Sequence, residues 1–173
     1  MDRVFFEELE LPGAQYNLDV GSGSHAEQTG KILQGFEPIL TTEQPDVVLV
    51  QGDTNTVMAG ALAAVKLHIP VGHVEAGLRS FDRSMPEEIN RIIADHISTY
   101  LFAPTHTARD HLLHEGIPGE KIHITGNTIV DAVTQNLEIA RKRGDVLTDL
   151  GLSPGTYFLV TAHRAENVDE RSR

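Results

Sequence analysis

The chain has 173 residues, 40% of them hydrophobic, which suits one globular domain with a sizeable core and leaves no sign of disorder. Its 14 Lys and Arg against 25 Asp and Glu give a formal charge of -11, which repels the phosphate backbone of nucleic acid but still allows a small phosphorylated ligand held by local Arg and backbone N–H groups. The absence of cysteine excludes disulfides, thiolate chemistry and cysteine metal sites, and it suits a reducing compartment.

The opening MDRVFFEELE carries acidic residues where a signal peptide needs an apolar core. The longest apolar stretch, VMAGALAAV from Val57, falls far short of the roughly 20 residues that span a bilayer. A soluble, cytoplasmic protein is expected, with no membrane or nucleic-acid partner. Further along, YNLDV reads as a short strand ahead of GSGSHA. Ile32, Leu33, Phe36, Ile39 and Leu40 recur at helical spacing and predict an amphipathic helix over 26–42. Pro45 and Asp46 end it, and DVVLVQ follows, apolar on both faces as in a parallel strand covered by helices on each side. The alternation continues with a helix over 56–67, strand PVGHVEA, a helix over 87–98, strand TYLFAP, a helix over 108–115, strand KIHITG and a helix over 128–143. Such units with short links predict an α/β fold built on a doubly wound parallel sheet. After Gly144 a polar connection leads to a last strand, TYFLVTA, which opens onto HRAEN.

In open parallel sheets ligands bind beyond the carboxyl ends of the strands. Five polar motifs fall there: GDTNT (52–56), Glu75, PTHT (104–107), GNTIVD (126–131) and AHRAEN (162–167). Chance accounts for one or two of these, so their coincidence on one edge points to a site.

Each motif also has a structural reading. In GDTNT, Asp53 or Thr54 can cap the next helix, or Asp53 can serve as a carboxylate at the mouth of a site. Ser84, Met85, Pro86 and Glu87 fit a capping box, and Glu87 with Arg91 forms an i,i+4 pair worth only about 0.3 to 0.5 kcal/mol when exposed. Glu75 ends an apolar strand and should be partly buried, which is costly without a partner, and Arg79 is a candidate. GSGSHA matches a G-x-G-x-x-A dinucleotide pattern, but the acidic residue such a site needs about 20 residues on is absent, since Asp53 lies later. Among nine His, the group His106, His111 and His114 on one helix suits a solvated face better than a metal site. GDTNT and ITGNT loosely resemble metallophosphoesterase signatures without the further His and Asp ligands that those sites need.

With these residues assembled, the chain closely resembles the non-hydrolysing UDP-N-acetylglucosamine 2-epimerases. The matching blocks are SHAEQT, PDVVLVQGDTNT, IPVGHVEAGLRS, MPEEINR, FAPT, ITGNTIVDA and VTAHRAEN, in the family's order and spacing and over essentially the whole chain. The resemblance implies reversible interconversion of UDP-GlcNAc and UDP-ManNAc in a two-domain, nucleotide-sugar-transferase-like fold, as a homodimer in the complete enzyme. It implies loss of the C2 proton and of UDP to give a glycal, followed by re-addition, with no metal or redox cofactor. Carried over by motif, Asp53, Glu75, Glu87 and His163 are the catalytic set. Arg79, Arg91, Asn127, Arg164, Glu166 and Asn167 are expected to bind substrate, with Arg79 and Arg91 orienting the carboxylates. A hydrolysing relative that releases UDP and free ManNAc, and a non-catalytic nucleotide-sugar-binding fragment, are the alternatives.

Two departures set further expectations. The family's first strand and GTRPE-type loop have no counterpart here, and the chain stops just inside the second domain, so a fragment truncated at both ends is expected. Residues 1–145 should form a partial N-terminal Rossmann-like domain, and 146–173 a linker with the first strand of the nucleotide-binding domain. In the strand order 3-2-1-4-5-6 the missing strand is central, so YNLDV should lose its route to the sheet and DVVLVQ should present a bare apolar edge.

Overall fold

The structure, a computed structural model, describes residues 2–144 and 146–161. It divides into two compact units, Met1–Ala132 and Val133–Arg173. The first unit opens with helix α1 (Asp2–Glu8) and then alternates α2 (His25–Glu43), β1 (Val48–Gln51), α3 (Asn55–Lys66), β2 (Val71–Val74), α4 (Pro86–Ile97), β3 (Tyr100–Ala103), α5 (His106–His114) and, after a single 3-10 turn, β4 (Ile122–Ile124). Helix α6 (Thr128–Lys142) starts within this unit, and α7 (Val146–Asp149) lies in the second.

Local chemistry fixes most of the boundaries. Ser24, Thr54 and Thr105 cap α2, α3 and α5, each side-chain oxygen accepting from a backbone N–H three residues on, at 3.2, 3.4 and 3.1 Å. Such caps contribute about 0.5 to 2 kcal/mol apiece. Helix α4 departs from the sequence expectation. Its cap is Met85, with no side-chain bond, and Pro86 stands at the first helical position, where its missing N–H costs nothing. The expected capping box is absent because Ser84 bonds backwards, its Oγ and N–H both reaching Asp82 Oδ1 at 2.6 and 2.9 Å.

The strands form one parallel sheet in the order β1-β2-β3-β4. Register pairs Val48 with Val71, Val50 with His73, His73 with Leu101, and Leu101 with Ile122. Paired residues of parallel strands share a face, and all of these turn toward the helices, none more than 9% exposed. Against that face α2, α3 and α4 bring Leu40, Val57, Ala61, Ala64 and Ala94, while α5 brings Ala108 and Leu112 to Leu101, Ala103 and Ile122. The run at 46–51 implies cover on both faces, but on the opposite face Leu49 is 64% exposed.

β1 is the edge of the sheet, with no neighbour but β2 among the described residues, as expected for DVVLVQ. YNLDV is not a strand. Residues 16–20 pass outside the sheet and line, with β1, α2 and α3, a cavity of about 780 Å³. A strand exists only by hydrogen bonding to a neighbouring strand, and this segment has none among the described residues. The same reason overturns the strand read at TYFLVTA: residues 156–161 are not in a strand, and no other β segment occurs among the described residues of the second unit to pair with them. No helix among the described residues is long and apolar enough to cross a membrane.

Candidate functional site

The motifs GDTNT, Glu75, PTHT and GNTIVD each follow the carboxyl end of a strand, β1 through β4 in turn. The fifth, with His163, Arg164, Glu166 and Asn167, lies outside the described residues.

After β1, Gly52 takes φ +85°, a left-handed turn that glycine enters without a Cβ penalty. Thr54, not Asp53, caps α3, so the Asp53 carboxylate is left for other work. Its side chain is 31% exposed, and Oδ2 accepts from Arg91 Nη2 on α4. The peptide carbonyls on either side of it are pinned as well. His73 Nε2 lies 2.8 Å from Gly52 O, and Asn90 Nδ2 donates to Asp53 O at 2.9 Å.

After β2, Glu75 is half-buried at φ +71°, a region that costs a non-glycine residue about 1 to 3 kcal/mol. Its Oε1 accepts from Gln51 Nε2 at 3.1 Å, and the same amide donates to Thr128 Oγ1 at 3.2 Å at the start of α6. Gln51 therefore links the ends of three elements. Gly77, two residues on, has φ +80°, and a Cβ there would stand 2.2 Å from Ala108 O, so only glycine lets α5 pack this closely.

Arg79 is not the partner of Glu75. Its side chain is 1% exposed, with Nη1 at 2.7 Å from Asp95 Oδ2 and Nε and Nη2 each at 2.7 Å from Glu115, a bidentate grip. Burial opposes its charge, but the hydrogen bonds and charges of Glu115 and Asp95 prevail and hold the guanidinium above its ordinary value. It is thus a buried scaffold group that faces carboxylates, not an open ligand-binding cation.

Helix α4 separates two adjacent glutamates. Glu87 in the first turn is exposed and makes no side-chain hydrogen bond or ion pair with another described residue, so its expected pair with Arg91 does not form. Glu88 is 1% exposed, and its oxygens accept the N–H groups of Ser80 and Phe81 at 3.0 and 3.1 Å and Arg91 Nη1 at 2.7 Å. Burial alone would raise the Glu88 carboxyl, but these donors lower it below the ordinary 4.5. Arg91 consequently bridges Glu88 and Asp53.

Asn127 directly precedes α6, its Oδ1 accepting from Ile129 N at 3.1 Å, so its backbone role is clear. Ser24 of GSGSHA caps α2 without a preceding strand, which removes the strand-loop-helix setting that a dinucleotide site needs. His111 Nδ1 donates to Gly77 O at 2.9 Å and His114 Nδ1 to Asp110 O at 2.6 Å. Among the described residues no group of three His, Asp or Glu could hold a metal ion.

Sequence reasoning passed over Gln51, His73, Glu88, Asn90, Asp95 and Glu115. One signal for two of these partners was present: Glu88 and Asp95 stand with Arg91 at i, i+7 and i+3, a single helical face, and that face turns inward.

Three comparisons with known proteins agree. The family profile described as UDP-N-acetylglucosamine 2-epimerase matches residues 1–173. The UDP-N-acetylglucosamine 2-epimerase of Methanocaldococcus jannaschii is 62% identical over 175 residues, covering 100% of this chain and 48% of that protein. The UDP-2,3-diacetamido-2,3-dideoxy-D-glucuronate 2-epimerase of Pseudomonas aeruginosa is 45% identical over 176 residues, with the same coverage of 100% and 48%. The crystal structure of the M. jannaschii UDP-GlcNAc 2-epimerase in complex with UDP-GlcNAc and UDP superposes with a TM-score of 0.91 at 63% identity, over 98% of this chain and 47% of that one. The chain spans about half the length of the relatives it matches.

Proposed function

Because the chain belongs to the UDP-N-acetylglucosamine 2-epimerase family, we propose that the complete polypeptide its gene encodes interconverts UDP-GlcNAc and UDP-ManNAc reversibly and without net hydrolysis. The observation that carries this reading is the pairing of two acidic loops at one sheet edge. Asp53 after β1 is backed by Arg91, and Glu75 after β2 is held half-buried by Gln51. Glu87 stands one turn before Arg91 on α4, exposed and unengaged by described neighbours.

The chemistry needs such a set. A carboxylate removes the proton at C2 as the C1–O bond to UDP breaks, and the C2 electron pair becomes the C1–C2 double bond of a glycal. UDP then adds back at C1 while an acid delivers a proton to the opposite face of C2. The C2 proton is only weakly acidic, so the carboxyl groups must be held in place and in the right protonation state. In this reading Asp53, Glu75 and Glu87 share the proton transfers, Arg91 orients Asp53, and His163 works beside the substrate. Asn127, Arg164, Glu166 and Asn167 bind the nucleotide sugar. We extend the reading to a cytoplasmic homodimer that supplies polysaccharide biosynthesis.

The deciding experiment incubates the complete polypeptide with UDP-GlcNAc in heavy water and follows C2 by NMR. Deuterium at C2 together with UDP-ManNAc supports the reading. Free UDP rising in step with free ManNAc assigns the hydrolysing reaction instead, and an unlabelled, unchanged sugar overturns it. A parallel incubation with UDP-2,3-diacetamido-2,3-dideoxy-D-glucuronate tests the sugar, since a 45%-identical relative is named for that substrate.

A further inference from the structure

Gly52 and Gly77 belong to different loops, yet one buried pair of side chains holds both. His73 on β2 is 0% exposed and Asp95 on α4 is 1% exposed. His73 Nε2 lies 2.8 Å from Gly52 O, and His73 Nδ1 lies 2.6 Å from Asp95 Oδ1. The other Asp95 oxygen accepts Gly77 N–H at 3.1 Å and faces Arg79 Nη1 at 2.7 Å.

The proton inventory follows from these partners. A carbonyl oxygen only accepts, so Nε2 carries a hydrogen. Asp95 Oδ2 accepts from Gly77 N–H and stands against the Arg79 guanidinium, which leaves Oδ1 to meet His73 Nδ1. Arg79 in turn faces Glu115, so the buried side chains of His73, Asp95 and Arg79 are each partnered. A valine or isoleucine would fill a buried strand position without any desolvation cost, so packing alone does not explain a histidine with two polar bonds here.

We propose that His73 and Asp95 are positioning residues that set the separation of the Asp53 and Glu75 carboxylates. The pair pins Gly52 C=O, one residue before Asp53, and Gly77 N–H, two residues after Glu75. It ties both peptides to α4, which also carries Arg91, Asn90 and Glu87. Neither His73 nor Asp95 is exposed to a ligand, so their action on the reaction runs through the backbone. The proposal rests on the reading above that Asp53 and Glu75 handle the substrate proton.

The test uses two substitutions in the complete polypeptide. The amide nitrogen of asparagine falls near the place of Nδ1, and that of glutamine near Nε2. His73→Gln therefore keeps a donor for Gly52 O while Asp95 still holds Gly77, and His73→Asn leaves Gly52 O without its donor. The expected result, per folded molecule, is a fall in kcat of about 10- to 100-fold for His73→Asn with KM unchanged, and a kcat within about threefold of wild type for His73→Gln, because small misplacements of reacting groups cost rate and not ground-state affinity. Equal kcat for the two variants, or a loss confined to KM, would overturn the proposal. Should His73→Asn fail to fold, nitrogen NMR of the wild-type ring decides: a hydrogen on Nε2 supports the anchor on Gly52 O, and a bare Nε2 refutes it. If the wild type shows no epimerisation, the functional reading fails by itself. The anchor is then still read from the Gly52 carbonyl shift, which must move in His73→Asn and stay in His73→Gln.

Discussion

Arg91 on α4 reaches Asp53 in the loop after β1 with one guanidinium nitrogen and grips Glu88 at 2.7 Å with the other. The second contact fixes the first. Glu88 is itself anchored on two backbone N–H groups, so the guanidinium cannot swing away from Asp53 without leaving a buried carboxylate short of a donor.

Arg91→Lys should therefore behave unlike a conservative change. A lysine ammonium supplies charge but cannot span two carboxylates in fixed planar geometry. The expected outcome in the complete polypeptide is a drop in kcat of about 10- to 100-fold with a modest change in KM, on the same misplacement argument. Steady-state kinetics of epimerisation checks this, and a wild-type kcat for Arg91→Lys would separate the ion pair from the reaction.

The two neighbouring glutamates should part company on substitution. Glu88→Gln removes an ionised acceptor from a buried cluster and should destabilise the fold by about 1 to 3 kcal/mol. Glu87→Gln changes an exposed side chain without a described partner and should leave the melting temperature unchanged while abolishing deuterium incorporation at C2. Thermal melts and the exchange assay run on both variants give a crossed pattern if this assignment is right. A parallel loss of stability in both would contradict it.

That contrast also shows what the sequence could reveal. Strand and helix periods place β1 to β4 and α2 to α6 within a residue or two of the structure, because a buried parallel strand and a one-sided helix leave strong patterns. The inward stripe of Glu88, Arg91 and Asp95 is different. Three charged residues on a helix look like a solvated face until their partners His73, Arg79 and the Ser80 and Phe81 N–H groups are known, and those arrive from elsewhere in the fold. The Glu87–Arg91 pair and the Ser84 box were locally reasonable and lost to such distant partners and to Asp82. YNLDV and residues 156–161 have strand composition but no β neighbour among the described residues, which composition cannot report.

Acid should expose the Glu88 cluster. Its folded carboxyl lies below the ordinary 4.5, so its stabilising contribution is complete above that value and disappears as pH falls through the lower, folded value. Melting temperature against pH for wild type and Glu88→Gln should accordingly converge as pH drops below about 4.5, the ordinary glutamate value. A gap of constant size down to strong acid would mean that the carboxylate is not what holds the Ser80–Phe81 turn.

Gly77→Ala is expected to damage fold and site together. The new Cβ would sit 2.2 Å from Ala108 O and 2.9 Å from Leu112 Cγ, in a residue at φ +80°. Backbone must move, since Ala108 O is part of α5 and not the end of a flexible side chain. The left-handed conformation adds about 1 to 3 kcal/mol of its own. Denaturant midpoints should fall accordingly, and His111, which donates to Gly77 O, should lose its protected position in nitrogen NMR. Unchanged midpoints would show that α5 can withdraw at little cost.

The open edge of the sheet makes the 173-residue chain by itself a poor soluble protein. Among the described residues β1 pairs with β2 alone, Leu49 is 64% exposed, and Tyr100 on the same sheet face is 43% exposed. An apolar edge strand of this kind is a template for pairing with another chain. The formal charge of -11 opposes association, but only at distances where salt does not screen it. Expressed alone, the chain should bind a hydrophobic dye and associate increasingly as salt rises, and Leu49→Lys should suppress both effects by placing a charge beside the edge. Light scattering across a salt series checks the prediction, and a monomeric, cooperatively melting, catalytically active chain would contradict it.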